Sequence, residues 1–244
     1  MNIILVLAFL FYIGSIAGWV LELFFRKIVC SEHKWINPGF LNGPYIPLYG
    51  FGIIALFLLS VMEDYIFIEN IVLKRILLFV IMSTVMTLLE YIAGIIFVKN
   101  MKIKLWDYSN EKFNIQGIIC PKYSFLWAIL GAVYYFLIHP RIIKAIMWLS
   151  KNLAFSFFVG MFYGFFVIDL IYSLKLMVKI KKYAIENEFI VKFEELKAGI
   201  IQSAKGRKKR LKFIISIGAD GQIYEHLKGY YEKIEKEFKK RIKK

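Results

Sequence analysis

Runs of about 18 or more residues almost free of charge recur along the chain, and that is the length a helix needs to cross the ~30 Å hydrocarbon layer of a bilayer. In order they are Asn2–Phe25, Tyr45–Met62, Ile76–Val98, Tyr123–Ile138 and Asn152–Leu174. Of the 244 residues 59% are apolar, against roughly 45–50% in a soluble domain, so a water-soluble core cannot hide the excess. The reading is an all-α, polytopic helical membrane protein with about five transmembrane helices and a small basic cytoplasmic C-terminal extension. The fourth run is short and ends at His139-Pro140. An interfacial or re-entrant piece competes there, and a four-span chain stays open. The first run follows Met1 with no basic leader and no small-residue cleavage pattern, which reads as a retained helix rather than a signal peptide.

Basic residues resist translocation, so their distribution sets orientation. Lys and Arg number 3, 2, 5 and 3 in the four successive loops and 20 after Leu174. The C-terminus is therefore expected in the cytoplasm of a multi-pass cell-membrane protein, with the first and third loops on the same side. The chain divides into a transmembrane region, 1–178, and a basic, mainly helical tail, 179–244. In the tail Ile180, Ala184, Ile185, Phe189, Val191, Phe193, Leu196 and Ile200 recur at roughly helical spacing. Leu211–Ile217, closed by Asp220-Gly221, suggests a strand and turn, and Ile223 to Ile242 mark an amphipathic helix. The inner leaflet or a protein partner suits such a tail, whereas no nucleic-acid recognition motif is present. Cys30 and Cys120 lie in loops expected to face the reducing cytoplasm, which argues against a disulfide. With Glu32 and His33 they match no zinc spacing, so neither metal nor cofactor is expected.

Three carboxylates fall inside the runs: Glu22, Glu90 and Asp169. An acid near a helix centre costs about 2.5–3.5 kcal/mol to insert, so each should face protein or a wet cavity. At 1.5 Å per residue they lie about 5, 12 and 8 Å before the cytoplasmic ends of their helices, within the inner third of the membrane. Glu22 is one turn from Arg26, a spacing that favours an ion pair. Asp169 has Lys175 and Tyr172 within reach. Glu90 has no basic neighbour on its helix and needs a partner from another element.

The segment Asn37–Gly52 holds three prolines and four glycines. Its first half cannot be a regular helix, while its second half is apolar enough to enter the bilayer. Irregular backbone at that depth needs protein or a water-filled cavity to satisfy its amides, and transporters use such breaks to place ligand groups. A tight turn with Pro47 kinking a packed helix is the alternative. The third loop carries Trp106-Asp107-Tyr108-Ser109 and Phe113-Asn114-Ile115-Gln116-Gly117, aromatic residues that suit the headgroup level. The pairs Gly14/Gly18 and Gly160/Gly164 lie on single helix faces, where another backbone can approach closely.

Gly18-Trp19 with Glu22, the Gly39–Gly52 motif, Glu90-Tyr91, Trp106-Asp107-Tyr108-Ser109 and Phe113-Asn114 with Gly117 occur in this order. In them the chain resembles the putative ABC-transporter type IV (CmpB-like) permease family over about residues 8–135. Pro38, Gln116 and Ile118 stand where that family commonly has Arg, Lys and Arg, so an anion site built from those charges is not expected. The resemblance implies a permease working with a separate ATPase subunit. This chain has no Gly-x-x-x-x-Gly-Lys-Ser/Thr loop and is not itself the ATP-binding partner.

The leading expectation is a membrane transport component with a substrate site built from Glu22, Glu90, Asp107, Asn114, Asn37, Asn42, Tyr45, Tyr49 and Trp106, with Asp169 as a secondary member. Its partners would be the lipid bilayer, a separate ATPase or other membrane protein, and further copies of the chain. Carboxylates suit cation or proton coupling better than anion binding. A membrane-embedded enzyme acting on a lipid headgroup, with Glu90 and Asp107 or Glu22 as acid and base, is the alternative. A non-transporting scaffold is the third reading.

Overall fold

The computed structural model describes residues 2–28, 37–203 and 225–235, and for 199–203 the backbone alone. The Cys30, Glu32 and His33 cluster and the strand expected at 211–217 lie outside the described residues. Five helical stretches are long and apolar enough to cross a membrane: Ile3–Ile28, Pro47–Tyr65, Ile71–Asn100, Pro121–Lys151 and Leu153–Glu186. They contain α1 (Ile3–Ile28), α2 (Pro47–Met62), α3 (Ile71–Ile95), α4 (Pro121–Val133), α5 (His139–Lys151) and α6 (Ser156–Glu186). Beyond them lie α7 (Phe193–Ser203) and a further helix, α8, at 225–235.

Proline starts these helices rather than breaking them. Pro47 and Pro121 each occupy a first helical turn, where the missing N–H would have no intrahelical partner in any case, whereas Pro140 opens α5 inside a longer continuous stretch. Pro47 therefore begins α2 instead of kinking it. Before Pro140 the chain widens into a π-helical turn, Tyr134–Ile138, which absorbs the clash that proline makes with the preceding turn. The fourth stretch thus runs on through His139-Pro140 to Lys151, well past its expected end. At the other boundary α3 begins five residues earlier than the apolar pattern suggests. The Asn70 side chain caps it, accepting from the Val72 and Leu73 amides at 2.9 and 3.2 Å.

The ends of α1, α3 and α6 meet on one face. After α3, β1 (Ile103–Lys104) pairs in parallel with β2 (Val191–Lys192), which follows α6. Arg26 at the end of α1 forms an ion pair with Glu194 of α7, and Lys197 of α7 donates to the carbonyls of Asn37 and Gly39. If the ends of α3 and α6 share a face, the fourth stretch must carry the chain to the other face and α6 must return it. A re-entrant fourth segment does not satisfy that parity.

The cap on this face has its own core, in which Ile103, Leu176, Met177, Ile180, Tyr183, Val191, Phe193, Leu196 and Leu227 pack together. Helix α6 passes through residue 178 without a break, so the division expected there falls within a continuous helix whose last turns nucleate the cap.

Within the membrane region α1 and α2 pack closely. A Cβ at Gly14 would run into Ile53, and one at Gly18 into Cβ and Cγ of Tyr49. Gly160 and Gly164 on α6 have nothing within 4 Å. The same small-residue spacing therefore marks a helix contact in α1 and an unoccupied face in α6, among the described residues.

Candidate functional site

The glycine- and proline-rich segment is held at depth by protein atoms. The Ile46 amide donates to the Ser15 carbonyl of α1 at 3.0 Å. Asp169 of α6 then acts as a cap for the loop. Its carboxylate accepts from the amides of Asn42 (3.0 Å) and Gly43 (2.8 Å), the Asn42 side chain (3.0 Å), the Tyr45 hydroxyl (2.8 Å) and Ser173 (3.1 Å). These partners, rather than Lys175 or Tyr172, satisfy the acid. Asn37 closes the loop from within: its side chain donates to the carbonyls of Leu41 and Asn42 and accepts from the Trp19 indole at 2.6 Å. With two of its residues glycines, the stretch Gly39–Gly43 can turn tightly around one carboxylate, Gly39 taking a φ of 77° that disfavours a side chain.

Glu22 sits in a second network. It accepts from Arg26 at 2.7 Å and from the Tyr49 hydroxyl at 2.9 Å, and Arg26 continues to Glu194. The expected i,i+4 ion pair is thus present and extends to the cap.

Glu90 differs. It is 3% exposed, so it does not face lipid, and it lies about 15 Å before the end of its helical stretch. One oxygen accepts from the Tyr108 hydroxyl at 3.0 Å. The other is buried with no hydrogen-bond partner; the Trp127 indole faces the same carboxyl without an aligned bond. Burial, and then the Glu90 charge, push the Tyr108 phenol far above its usual range, so it keeps its proton and donates. Tyr108 is itself stacked on Tyr123, with centroids 4.1 Å apart.

Glu22 and Glu90 both line a cavity of about 800 Å³ among α1, α2, α3, α4, α6 and the first and third loops. Tyr45, Tyr49 and Trp106 line it too, together with Tyr108, Tyr123 and Trp127. Most of the remaining lining is aliphatic or phenyl side chains. Among the described residues its rim includes Phe24, Ile28, Phe51, Ile92 and Ile96, all exposed on the apolar outer surface of the helices. The lining is therefore more apolar than three converging acids suggest.

The other expected site residues hold the surrounding loops. Asp107 binds Lys104 at 3.1 Å and Lys192 at 2.9 Å. Burial alone would raise its pKa, but hydrogen bonds from Ser109, Lys192 and Lys104 hold it well below the usual carboxylate range. Asn114 donates to the Ser109 and Glu111 carbonyls and accepts from the Gly117 amide at 2.9 Å. Neither Asp107, Asn114, Asn37, Asn42 nor Asp169 lines the cavity. Tyr108 belongs to the third-loop motif but was not among the expected site residues, and Tyr123 and Trp127 were not singled out by sequence. Tyr123 and Trp127 are spaced i,i+4 on α4, the one sequence signal that they share a face.

Lys197 seals the floor of the first loop from the cap. Burial, then the Arg26 charge, lower its pKa to about 8 against the opposing pull of Glu194. A lysine whose folded pKa is depressed carries a penalty below that value, relieved as pH rises towards the unfolded value of about 10.4. Docking of the cap should tighten from about pH 8 to 9.5, below the range where the tyrosines titrate. Limited proteolysis of the full chain should slow between those values. Lys197→Met should abolish the pH dependence, and an unchanged slope in that variant would mean another group governs it.

A family model described as Putative ABC-transporter type IV matches residues 9–174. The match runs further than the motifs at 8–135 and takes in most of the membrane part of α6. No curated protein and no solved structure matches the chain.

Proposed function

Because this chain belongs to the Putative ABC-transporter type IV family and is a multi-pass, membrane transport-related protein, we propose that it is the permease-type component, with Glu90 as the cargo-facing group of the 800 Å³ cavity. The observation that carries this reading is the unpartnered Glu90 oxygen. A buried acceptor left without a donor costs about 1–3 kcal/mol, more if charged. A sequence that tolerates this beside a cavity is placing the group for something that arrives. The carboxylate favours a cation or proton over an anion, and Arg26, the one cationic lining residue among those described, is already engaged by Glu22 and Glu194.

Orientation follows from the 20 basic residues after Leu174: the cap and tail face the cytoplasm, and the cavity lies towards that side. A separate ATPase subunit would dock on the cap, whose β2 and α7 hold the first and third loops and thereby the cavity walls. The chemistry of the lining favours carriage over lipid hydrolysis. It includes no Ser, Thr, Cys or His among the described residues, and the phenol that does reach Glu90, Tyr108, is held in its protonated form, so no thiol or aliphatic hydroxyl nucleophile with a base stands beside Glu90.

Membrane vesicles from cells that carry the chain and its native partners test this reading. Energised with ATP, they should accumulate or expel the cationic dye ethidium at a rate at least about tenfold slower when Glu90→Gln replaces the wild type, a loss that matches one charge-assisted hydrogen bond. Flux of the anionic dye carboxyfluorescein should not change. Equal ethidium flux in both kinds of vesicle removes Glu90 from the transport path.

A further inference from the structure

The same cavity restricts the cargo, and the inference rests on the permease reading of it. Three charged groups line it among the described residues: Glu22, Arg26 and Glu90. Arg26 and Glu22 neutralise each other at 2.7 Å. Glu90 has no cation beside it, one phenol donor and the Trp127 indole facing it without an aligned bond, which leaves one oxygen without a hydrogen-bond partner. A ligand must therefore bring positive charge and an N–H or O–H to that oxygen, since a buried carboxylate is stable only when paired and hydrogen-bonded.

A bare metal ion does not fit, because hard cations need about six oxygen ligands at once and the surroundings are hydrocarbon. Phosphate or sulfate does not fit either, as the one arginine is occupied. The volume lies within the ~300–1,000 Å³ usual for small-molecule sites, far more than an ammonium head fills. What remains to be covered is apolar and aromatic, including Tyr49 and Trp127 with ring centroids 5.1 Å apart, faces that attract an ammonium as well as a hydrocarbon chain. The rim carries exposed apolar side chains, which suit an opening towards acyl chains better than one towards water.

We propose that the cavity binds a protonated amine carried on an apolar body, with the ammonium hydrogen-bonded to Glu90 and the body lying along the lining between α1 and α3, reached sideways from the bilayer. The amine is either a free amphiphile or the head of an amino lipid; both present the same N–H to Glu90.

The test uses the full chain in phosphatidylcholine nanodiscs, with radiolabelled dodecylamine and empty nanodiscs as the blank. Saturable binding is expected, at least about tenfold weaker in Glu90→Gln, the loss of one charge-assisted hydrogen bond. Dodecyltrimethylammonium, which has no N–H, should compete at least about tenfold less well, and dodecyl sulfate not at all. Ala93 lines the cavity, and Ala93→Phe should reduce binding with the carboxylate intact. Binding in phosphatidylethanolamine nanodiscs separates the sources: suppression there assigns the site to the lipid amine, and retention to the free one. Wild type and Glu90→Gln binding alike, or dodecyl sulfate competing as well as dodecylamine, overturns the proposal. If amine binding fails while ethidium flux still depends on Glu90, the cargo class is wrong and the permease stands. Amine binding without any Glu90-dependent flux leaves the site and removes the permease.

Discussion

Asp169→Ala should lower the thermal unfolding midpoint of the purified full chain by about 10 °C. The carboxylate accepts two backbone amides, an amide side chain and two hydroxyls, and irregular backbone within a membrane helix bundle depends on such protein acceptors. Leaving several donors unsatisfied should cost roughly 3 kcal/mol, and for a chain of this size each kcal/mol moves the midpoint by about 2–4 °C. Asp169→Asn keeps one acceptor oxygen but loses the charge and turns an N–H towards other donors. A fall of roughly half as much is expected, because hydrogen bonds to a charged acceptor are about twice as strong. Both are readable by differential scanning fluorimetry in detergent. A shift within about 2 °C for Asp169→Ala, the scale of a sub-kcal/mol effect, would show that the loop keeps its shape without this anchor. The variant should also disturb the cavity, since Tyr45 both donates to Asp169 and lines the wall.

Gly18→Ala should be worse for its size than any other single methyl added to the membrane region. The new Cβ would fall on Tyr49 Cβ and Cγ, atoms tied to the backbone of α2, so the two helices must part rather than a side chain swing aside. Overpacking of this kind costs about 1–3 kcal/mol. Parting the helices also pulls Tyr49 from Glu22, whose bond spans the same contact at 2.9 Å. We expect a midpoint lower by about 5–10 °C and a reduced yield of monodisperse protein. Gly164→Ala is the matched control. Nothing lies within 4 Å of that position, and alanine favours the helix by up to about 1 kcal/mol, so its midpoint should stay level or rise. Equal losses in the two variants would mean that α1 and α2 do not pack as described.

Legibility of the site followed the range of the interactions involved. The Glu22–Arg26 pair is one helical turn long, and spacing alone identifies it. That Glu90 must be shielded from lipid follows from the cost of an acid in hydrocarbon, but its partner lies 18 residues on, in a loop. Asp107 and Asn114 were drawn towards the acids by their shared side of the membrane. Turn partners within a few residues, and for Asp107 also Lys192 of the cap, claim them instead. Asp169 and Asn42 are 127 residues apart in sequence, and nothing local in either segment announces that a helix and a loop share one carboxylate.

Membrane residence and a count of about five apolar runs were legible in the sequence by itself, because hydrophobic transfer acts on each segment separately, whereas the continuation of the fourth run to Lys151 and the helix starts at Pro47 and Pro121 came from the structure. Proximity was decided by tertiary structure alone. Two glycine pairs of identical spacing differ because α2 lies against the first and nothing described lies against the second. Asp169 likewise meets the amides of Asn42 and Gly43 in the first loop rather than Lys175 or Tyr172 on its own helix. Packing acts between segments distant in the chain, so a pattern read along the chain contains the groups that need partners, and the fold chooses which partners they meet.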